Sequence, residues 1–395
     1  MNNSFTLEYH KKELPKKLNI VGLTLFLVGL VIIIFGYIVN PVRTAFNNII
    51  LLTFLISLGA GSLFLIAIEY VAGAVWSTPF RRVPEILSFA LVIVPIFAVP
   101  LFFNLHNVFE WTHPQAFKND VLMEAKAPYL NTTFFILRSI AFFAVWIFFF
   151  ILLFKNSVKQ DFTKEQLLTK KNIIISAVFL PIFAFSLSFS SFDWLMSLAP
   201  HWYSTIFGVY YFAGTVLCAL AASTIIIVLL NEKGYFVDGL GGDHYYSLGA
   251  LMFAFINFWA YIAFSQFLLI WYANLPEETF WFLQRWEGNW KFVSIGLIFV
   301  HFVVPYFALL SQPSKMDPKR LLFISIWILF AHIYDLYWMI IPTFSKEGII
   351  FGWIEIGFPL FTLGLLIMLF VLISKKINLV PIGDPKLKRG IDFKL

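Results

Sequence analysis

Long apolar stretches recur along the chain at a length that suits membrane-spanning helices. A helix needs about 20 mostly apolar residues to cross the hydrocarbon core of a bilayer. Ten stretches approach or exceed this length: Leu18–Ile38, Ile49–Val75, Leu87–Phe103, Thr132–Phe154, Ile173–Leu195, Tyr203–Leu230, Ser247–Tyr272, Phe292–Leu310, Leu321–Ile341 and Phe351–Ile373. The pattern predicts an all-α integral membrane protein with about ten transmembrane helices at residues 18–373. A short N-terminal tail (1–17) and a C-terminal tail (374–395) flank them.

Composition agrees with this pattern. Hydrophobic residues make up 60% of the chain and charged residues only 13%, whereas soluble domains carry about 25% charged residues. The single cysteine, Cys218, excludes a disulfide framework and a cysteine-ligated iron–sulfur cluster. The net charge of +6 is explained by lysine and arginine in loops, and nothing indicates nucleic-acid binding.

The basic residues predict the orientation of the helices. If the N-terminus is cytoplasmic, the cytoplasmic segments hold 21 of the 28 lysines and arginines and the external segments hold six. Cytoplasmic loops carry the excess of Lys and Arg in membrane proteins. Both termini are therefore expected in the cytoplasm.

Two longer loops fall on the external side, at residues 104–131 and 273–291, and both are rich in Trp and Glu. Tryptophans at span boundaries usually anchor a helix at the membrane interface. A docking surface for an extrinsic subunit is the other interpretation.

Several ionisable residues lie within or beside the predicted spans, where they are costly and often mark a pathway or a site. The candidates for a proton pathway are Glu69, Arg138, Asp193, His201, His301, His332, Asp335 and Glu355. In the predicted topology Glu69 is an isolated carboxylate on the cytoplasmic side. Arg138, Asp193, Glu355 and the His332–Asp335 pair fall in the external half.

His332 and Asp335 share one helix face because three positions separate them. A carboxylate beside an imidazole can relay a proton, although the pair could equally be a structural hydrogen bond. His301 alone is more typical of a helix–helix contact. A heme between His301 and His332 is not expected, because neither helix has the glycine-lined face that would admit a macrocycle. No set of metal ligands and no catalytic residue is expected.

The most distinctive sequence is the run from Ser191 to Tyr210, SFDWLMSLAPHWYSTIFGVY. It resembles the F subunit of bacterial alternative complex III, a quinol–cytochrome c oxidoreductase. That subunit is similar to the membrane subunits of the polysulfide-reductase (NrfD-like) family. The resemblance extends from about the first span to the last.

The resemblance implies two four-helix bundles, spans two to five and six to nine, flanked by the first and last helices. It implies a multi-pass protein of the bacterial inner membrane that supports quinol oxidation and proton translocation without being catalytic alone. Its implied partners are a related NrfD-like membrane subunit, an iron–sulfur subunit and multiheme cytochrome c subunits. Those partners carry the heme and clusters, and this chain binds no redox cofactor of its own.

A quinone, menaquinone or ubiquinone, is a small molecule that residues of this kind would suit. Such a ring requires aromatic contacts and a polar group at each carbonyl. Asp193, His201 and Asp335 are the candidates for the polar end. We expect Asp193 with His201, and Asp335 with His332, to face a shared polar cavity, with Arg138 as counter-ion.

Two other classes of function fit the same pattern. A secondary transporter would also have about ten spans and intramembrane charges, although the helix breaks here do not pair between two halves as they do in many transporters. A purely structural scaffold subunit is the third possibility.

Overall fold

The computed structural model describes residues 12–395, in which the regular structure is entirely helical. Ten long apolar helices, α1 to α10, form the membrane domain. Their bounds are Lys16–Val39, Pro41–Ala72, Thr78–Phe103, Thr132–Thr163, Gln166–Trp194, Phe207–Glu232, Gly242–Ala273, Trp290–Ala308, Pro318–Phe344 and Trp353–Ser374. Because the number of spans is even, α1 begins and α10 ends on one side, called here the terminal side; the other is the far side.

The helices form two antiparallel bundles. In the first, α2 packs on α3 and α5, and α4 completes the ring; in the second, α6 packs on α7 and α9, and α8 completes it. The bundles meet where α2 lies against α6 and α9. Buried residues fill 89% of the most apolar window of α2 and 83% of that of α6, against 11% in α1. The predicted all-α membrane fold is therefore confirmed, and α2 and α6 form its interior.

The first and last helices pack against each other at the edge of the bundles. Glycines allow this close approach: a Cβ atom on Gly29 would lie 2.4 Å from the backbone nitrogen of Phe361, and one on Gly364 would lie 2.3 Å from that of Phe26. Small residues let membrane helices approach closely and gain van der Waals contact. Helices α1 and α10 therefore form a close-packed interface with each other and are not two independent membrane anchors.

Some helix ends differ from the sequence prediction because of local capping. The second helix begins at Pro41, eight residues before the predicted Ile49. The Asn40 side chain accepts a hydrogen bond from the Arg43 backbone nitrogen, and proline is well suited to the first helical position. Hydropathy does not detect such a polar first turn.

Short helices lie on both sides of the membrane domain. The longer far-side loops contain Leu105–Val108, Val121–Lys126 and Pro276–Gln284. On the terminal side lie Gln312–Met316 and Leu387–Ile391. The last of these belongs to the predicted C-terminal tail, which packs against the start of α3 and so is part of the folded domain.

Candidate functional site

Three buried ionisable residues converge where α8 and α9 face the interior of the second bundle. His301, His332 and Asp335 each offer a ligand atom, and these atoms all lie within 4.8 Å of one another. We call this group the histidine cluster. His301 does contact a neighbouring helix, as expected, through Trp259, but it also lies beside the predicted His332–Asp335 pair. Each of the three side chains is only 1% exposed.

Local backbone structure helps to place His301. It lies in a π-helical turn, Ile298–Val303, inside α8. Such turns insert an extra residue into a helix, change the direction in which side chains point, and occur frequently at functional sites. The Trp259 ring of α7 stacks on the His301 imidazole with 3.7 Å between centroids. The ring plane of His301 is therefore fixed from a neighbouring helix.

Neutral donors hold the Asp335 carboxylate. The Tyr210 hydroxyl donates a hydrogen bond to Oδ1, and Trp259 Nε1 donates one of 3.2 Å to Oδ2. Tyr210 is the last residue of the distinctive run that begins at Ser191. That run thus reaches the histidine cluster through Tyr210, not through Asp193 or His201.

Both imidazoles of the cluster lack hydrogen-bond partners among the described residues. This is true of Nδ1 and Nε2 in His301 and in His332. Buried polar groups are normally paired, so four unpaired nitrogens beside one carboxylate indicate unused binding capacity. The geometry of the cluster is therefore suited to accepting a cation.

A second group of charges lies at the terminal side. Arg81 bonds to Glu69 at 3.1 Å, to Glu85 at 3.3 Å and to Asp384 at 2.6 Å. The expectation that Glu69 is isolated is therefore wrong. Sequence reasoning counted Arg81 as a loop charge, but its side chain is 1% exposed and is enclosed by the folded C-terminal segment.

The neighbouring arginine extends the network to α4. Arg82 bonds to Glu85 at 2.5 Å and to Asp161 at 2.6 Å, and it also donates to Ser157. The terminal charge cluster comprises Glu69, Arg81, Arg82, Glu85, Asp161 and Asp384. Four carboxylates share two guanidinium groups in these ion pairs. Two negative charges would be uncompensated if all four were ionised.

Hydroxyl groups of α2 and α6 lie between this cluster and the middle of the membrane domain. Ser57 contacts the hydroxyls of Tyr211 and Thr215, each at 3.2 Å. Between that triad and Glu69 lie Ser62 and Ser223, whose buried hydroxyls have no partner among the described residues. Hydroxyls left unpaired in this way are suited to binding water.

A cavity of about 200 Å³ opens beside this contact. Glu69, Arg81 and Ser223 line it together with apolar side chains of α2, α3, α6 and α7. Glu69 therefore borders a space of this size beside the terminal charge cluster. Sequence reasoning could not locate this cavity, since its walls come from four separate helices.

On the far side, Arg138 and Asp193 form a bidentate ion pair. Arg138 Nε and Nη2 donate to the two Asp193 oxygens at 2.8 and 2.9 Å, and Nη1 donates to the Tyr129 carbonyl at 2.9 Å. The predicted role of Arg138 as counter-ion is confirmed for Asp193. Burial raises the pKa of the Tyr129 hydroxyl, which lies outside the spans.

The predicted partnership of Asp193 with His201 is wrong. His201 bonds to Asp120 of the far-side loop at 2.6 Å, and its side chain is 42% exposed. This hydrogen bond lowers the pKa of the Asp120 carboxyl. The three quinone candidates Asp193, His201 and Asp335 thus have separate partners, and the structure does not unite them at one polar cavity.

Glu355 also has a complete set of partners. It accepts hydrogen bonds from Arg43 at 2.8 and 2.6 Å and from Asn47 at 3.0 Å, and it caps α10 through the Gly352 nitrogen at 2.8 Å. These contacts tie α10 to α2. Glu355 is satisfied as a structural residue.

Comparison with known proteins adds no further identification. A scan against protein-family models and a search of curated proteins found no match to this sequence.

Proposed function

We propose that this chain is a membrane subunit of a respiratory quinol–cytochrome c oxidoreductase of the alternative complex III type, and that it moves protons through the contact between its two bundles. The electrons are carried by heme and iron–sulfur partner subunits, and the chain is not catalytic alone. The protein lies in a bacterial inner membrane with both termini in the cytoplasm, as the loop charges predict.

One observation carries the proton role: the terminal charge cluster has more carboxylates than cations, and it adjoins a hydroxyl-lined helix contact. From Glu69 to Ser57 is 12 residues of α2, or about 18 Å of helix at 1.5 Å per residue. Ser62 and Ser223 lie in this interval with unpaired hydroxyls. Water bridging these groups would connect the terminal side with the middle of the membrane domain.

The resemblance of the Ser191–Tyr210 run to the alternative complex III subunit supports the identity of the complex. The redox partners follow from it: a related NrfD-like membrane subunit, an iron–sulfur subunit and multiheme cytochromes. Menaquinol or ubiquinol is the electron donor of such a complex. We place no quinone at Asp193, His201 and Asp335, because these residues do not converge.

Affinity isolation from mildly solubilised membranes tests the identity. We expect the tagged chain to copurify with c-type heme absorbance and with quinol-dependent cytochrome c reduction. Isolation without heme or this activity, together with solute uptake in vesicles, would establish the transporter interpretation instead.

The proton role is tested by Glu69→Gln in the intact complex reconstituted into vesicles. Arg81 keeps Glu85 and Asp384 as partners in this variant, so we expect assembly and cytochrome c reduction to persist. Proton uptake from the terminal side should fall at least tenfold per quinol oxidised. Glu277→Gln, at an exposed far-side position, is the matched control. Unchanged proton uptake in Glu69→Gln would contradict the proposal.

The orientation is tested by reporter fusions. A reporter placed after Lys376 should be active only in the cytoplasm, and one inserted near Gln115 only outside it. The opposite result at either position would overturn the assigned topology.

A further inference from the structure

The histidine cluster has a binding capacity that the proposed function does not use. A buried polar atom that lacks a partner costs about 1–3 kcal/mol. His301 and His332 together present four such nitrogens among the described residues, and both rings are 1% exposed. Because unpaired buried nitrogens are this unfavourable, we expect a bound species to supply partners for them.

The charge of the cluster points to a cation. Asp335 is buried at 1% exposure, and its hydrogen bonds within the described chain come from Tyr210 and Trp259, which are neutral donors. An arginine or lysine would be the usual partner of a buried carboxylate. At Asp335, two imidazole rings lie beside the carboxylate, where an arginine or lysine would be usual.

The ligand set has the chemistry of a transition-metal site. Two imidazole nitrogens and one carboxylate oxygen are the usual ligands of catalytic zinc, which retains an open fourth position. Bonds of about 2.0–2.1 Å in tetrahedral geometry place ligand atoms about 3.4 Å apart. The three atoms here lie within 4.8 Å, so small side-chain rotations would bring them onto one ion.

The surroundings of the cluster resemble the supporting shell of a metal site. Tyr210 and Trp259 hold the two carboxylate oxygens, and ligating carboxylates in metal sites are commonly oriented by such hydrogen bonds. The π-helical turn and the stacked Trp259 ring fix His301. A Cβ atom on Gly214 of α6 would lie 3.0 Å from His332 Nδ1, so glycine allows the ring to lie directly against that helix.

We propose that His301, His332 and Asp335 bind one divalent zinc ion within the second bundle. The ion supplies the positive charge that Asp335 lacks and a partner for one nitrogen of each ring. Because zinc is redox-inert, the site is compatible with electron transfer confined to partner subunits. The proposal is independent of the proton route, which begins at Glu69.

Metal content of the intact protein, isolated with its native partners, tests the proposal. After equilibration with Zn²⁺ and removal of loose metal by a weak chelator, we expect about one zinc per chain by mass spectrometry. X-ray absorption at the zinc edge should show two imidazoles and oxygen ligands. His301→Ala and Asp335→Asn should each reduce zinc content at least tenfold, whereas His201→Ala, at an exposed histidine, should not.

A milder variant protects the test against misfolding. Tyr210→Phe keeps all three ligands and removes only the hydroxyl that holds Asp335, so zinc affinity should fall about 10–100-fold. The Cys218 thiol is buried, so the temperature at which it becomes reactive shows whether each variant is folded. Folded protein that takes up no zinc, or that binds as much zinc without His301, would overturn the proposal.

Discussion

Replacing Asp193 by asparagine is expected to destabilise the first bundle strongly. The substitution keeps the shape of the side chain but removes its charge, which leaves Arg138 without a counter-ion. Arg138 is 9% exposed and Asp193 is 0% exposed, so solvent cannot replace the lost partner. Breaking a buried ion pair from one side is among the costliest single changes in a protein.

The magnitude follows from the geometry. The two donor–acceptor distances of 2.8 and 2.9 Å place the charge centres about 4 Å apart. At an effective dielectric constant of about 20, that separation corresponds to about 4 kcal/mol. Measured losses for one-sided removal of buried pairs are about 3–5 kcal/mol. We therefore expect the free energy of unfolding to fall by about 3–5 kcal/mol, more than a hundredfold in the unfolding equilibrium.

The single cysteine provides the assay. Cys218 is fully buried in α6, so a thiol-reactive fluorophore reports unfolding of the detergent-solubilised protein during heating. Asp193→Asn should unfold at a markedly lower temperature than the parent protein. Asp120→Asn is the matched control, since the side chain of its partner His201 is 42% exposed, and it should lower the unfolding temperature far less. The double variant Arg138→Met/Asp193→Leu removes both charges and should recover much of the stability. Equal unfolding temperatures for Asp193→Asn and Asp120→Asn would refute the reasoning.

Two further predictions concern the α1–α10 pair and the far-side loop. Gly364→Val adds side-chain atoms where the α1 backbone lies, and this overpacking should cost about 1–3 kcal/mol of stability. The loss should appear as faster hydrogen exchange in α1. Gly241→Val, whose Cβ has open space, should leave that exchange unchanged, and equal exchange in the two variants would contradict the packing argument. The Asp120 carboxyl should titrate below its ordinary pKa of about 3.9, because His201 lowers that pKa. The stabilisation by this pair is therefore complete above the ordinary pKa and is lost as the pH falls through the lowered value. In His201→Ala, carboxyl NMR should show that the titration midpoint of Asp120 moves towards the ordinary pKa. An unchanged midpoint would exclude the hydrogen bond to His201 as the cause of the lowered pKa.

Hydropathy was sufficient to predict the ten helices, because a span in lipid must satisfy its backbone internally and must be apolar over its length. It could not predict the capped start of α2 at Pro41, since a polar first turn lies outside any apolar window. Nor could it show that the C-terminal segment folds back. That segment reaches Arg81 through Asp384, a contact 303 residues apart in sequence.

The site residues were identified more successfully than their partners. Ionisable residues within spans are rare and therefore conspicuous in a sequence, and the i, i+3 spacing correctly placed His332 near Asp335, although no hydrogen bond joins them. Depth along a helix does not determine which face of the helix a side chain occupies. The sequence therefore suggested an Asp193–His201 pair, whereas the structure pairs Asp193 with Arg138 and His201 with Asp120. His301 joins the cluster through a π-helical turn that hydropathy does not reveal. The burial of Arg81 is not predictable from hydropathy, because it depends on α2 and on the C-terminal segment.

Charge balance separates the ionisable groups that are structural from those that are candidates for function. On the far side, Arg138 with Asp193 and Arg43 with Glu355 are matched one to one and hold helices together. The terminal charge cluster has twice as many carboxylates as guanidinium groups, and Asp335 bonds only neutral donors within the described chain. A matched pair binds nothing further without being broken, whereas an unmatched carboxylate gains from a proton or a metal ion. The proton role is therefore expected at the terminal side, and ion binding at the histidine cluster, and not at Asp193, the most conspicuous acid of the distinctive run.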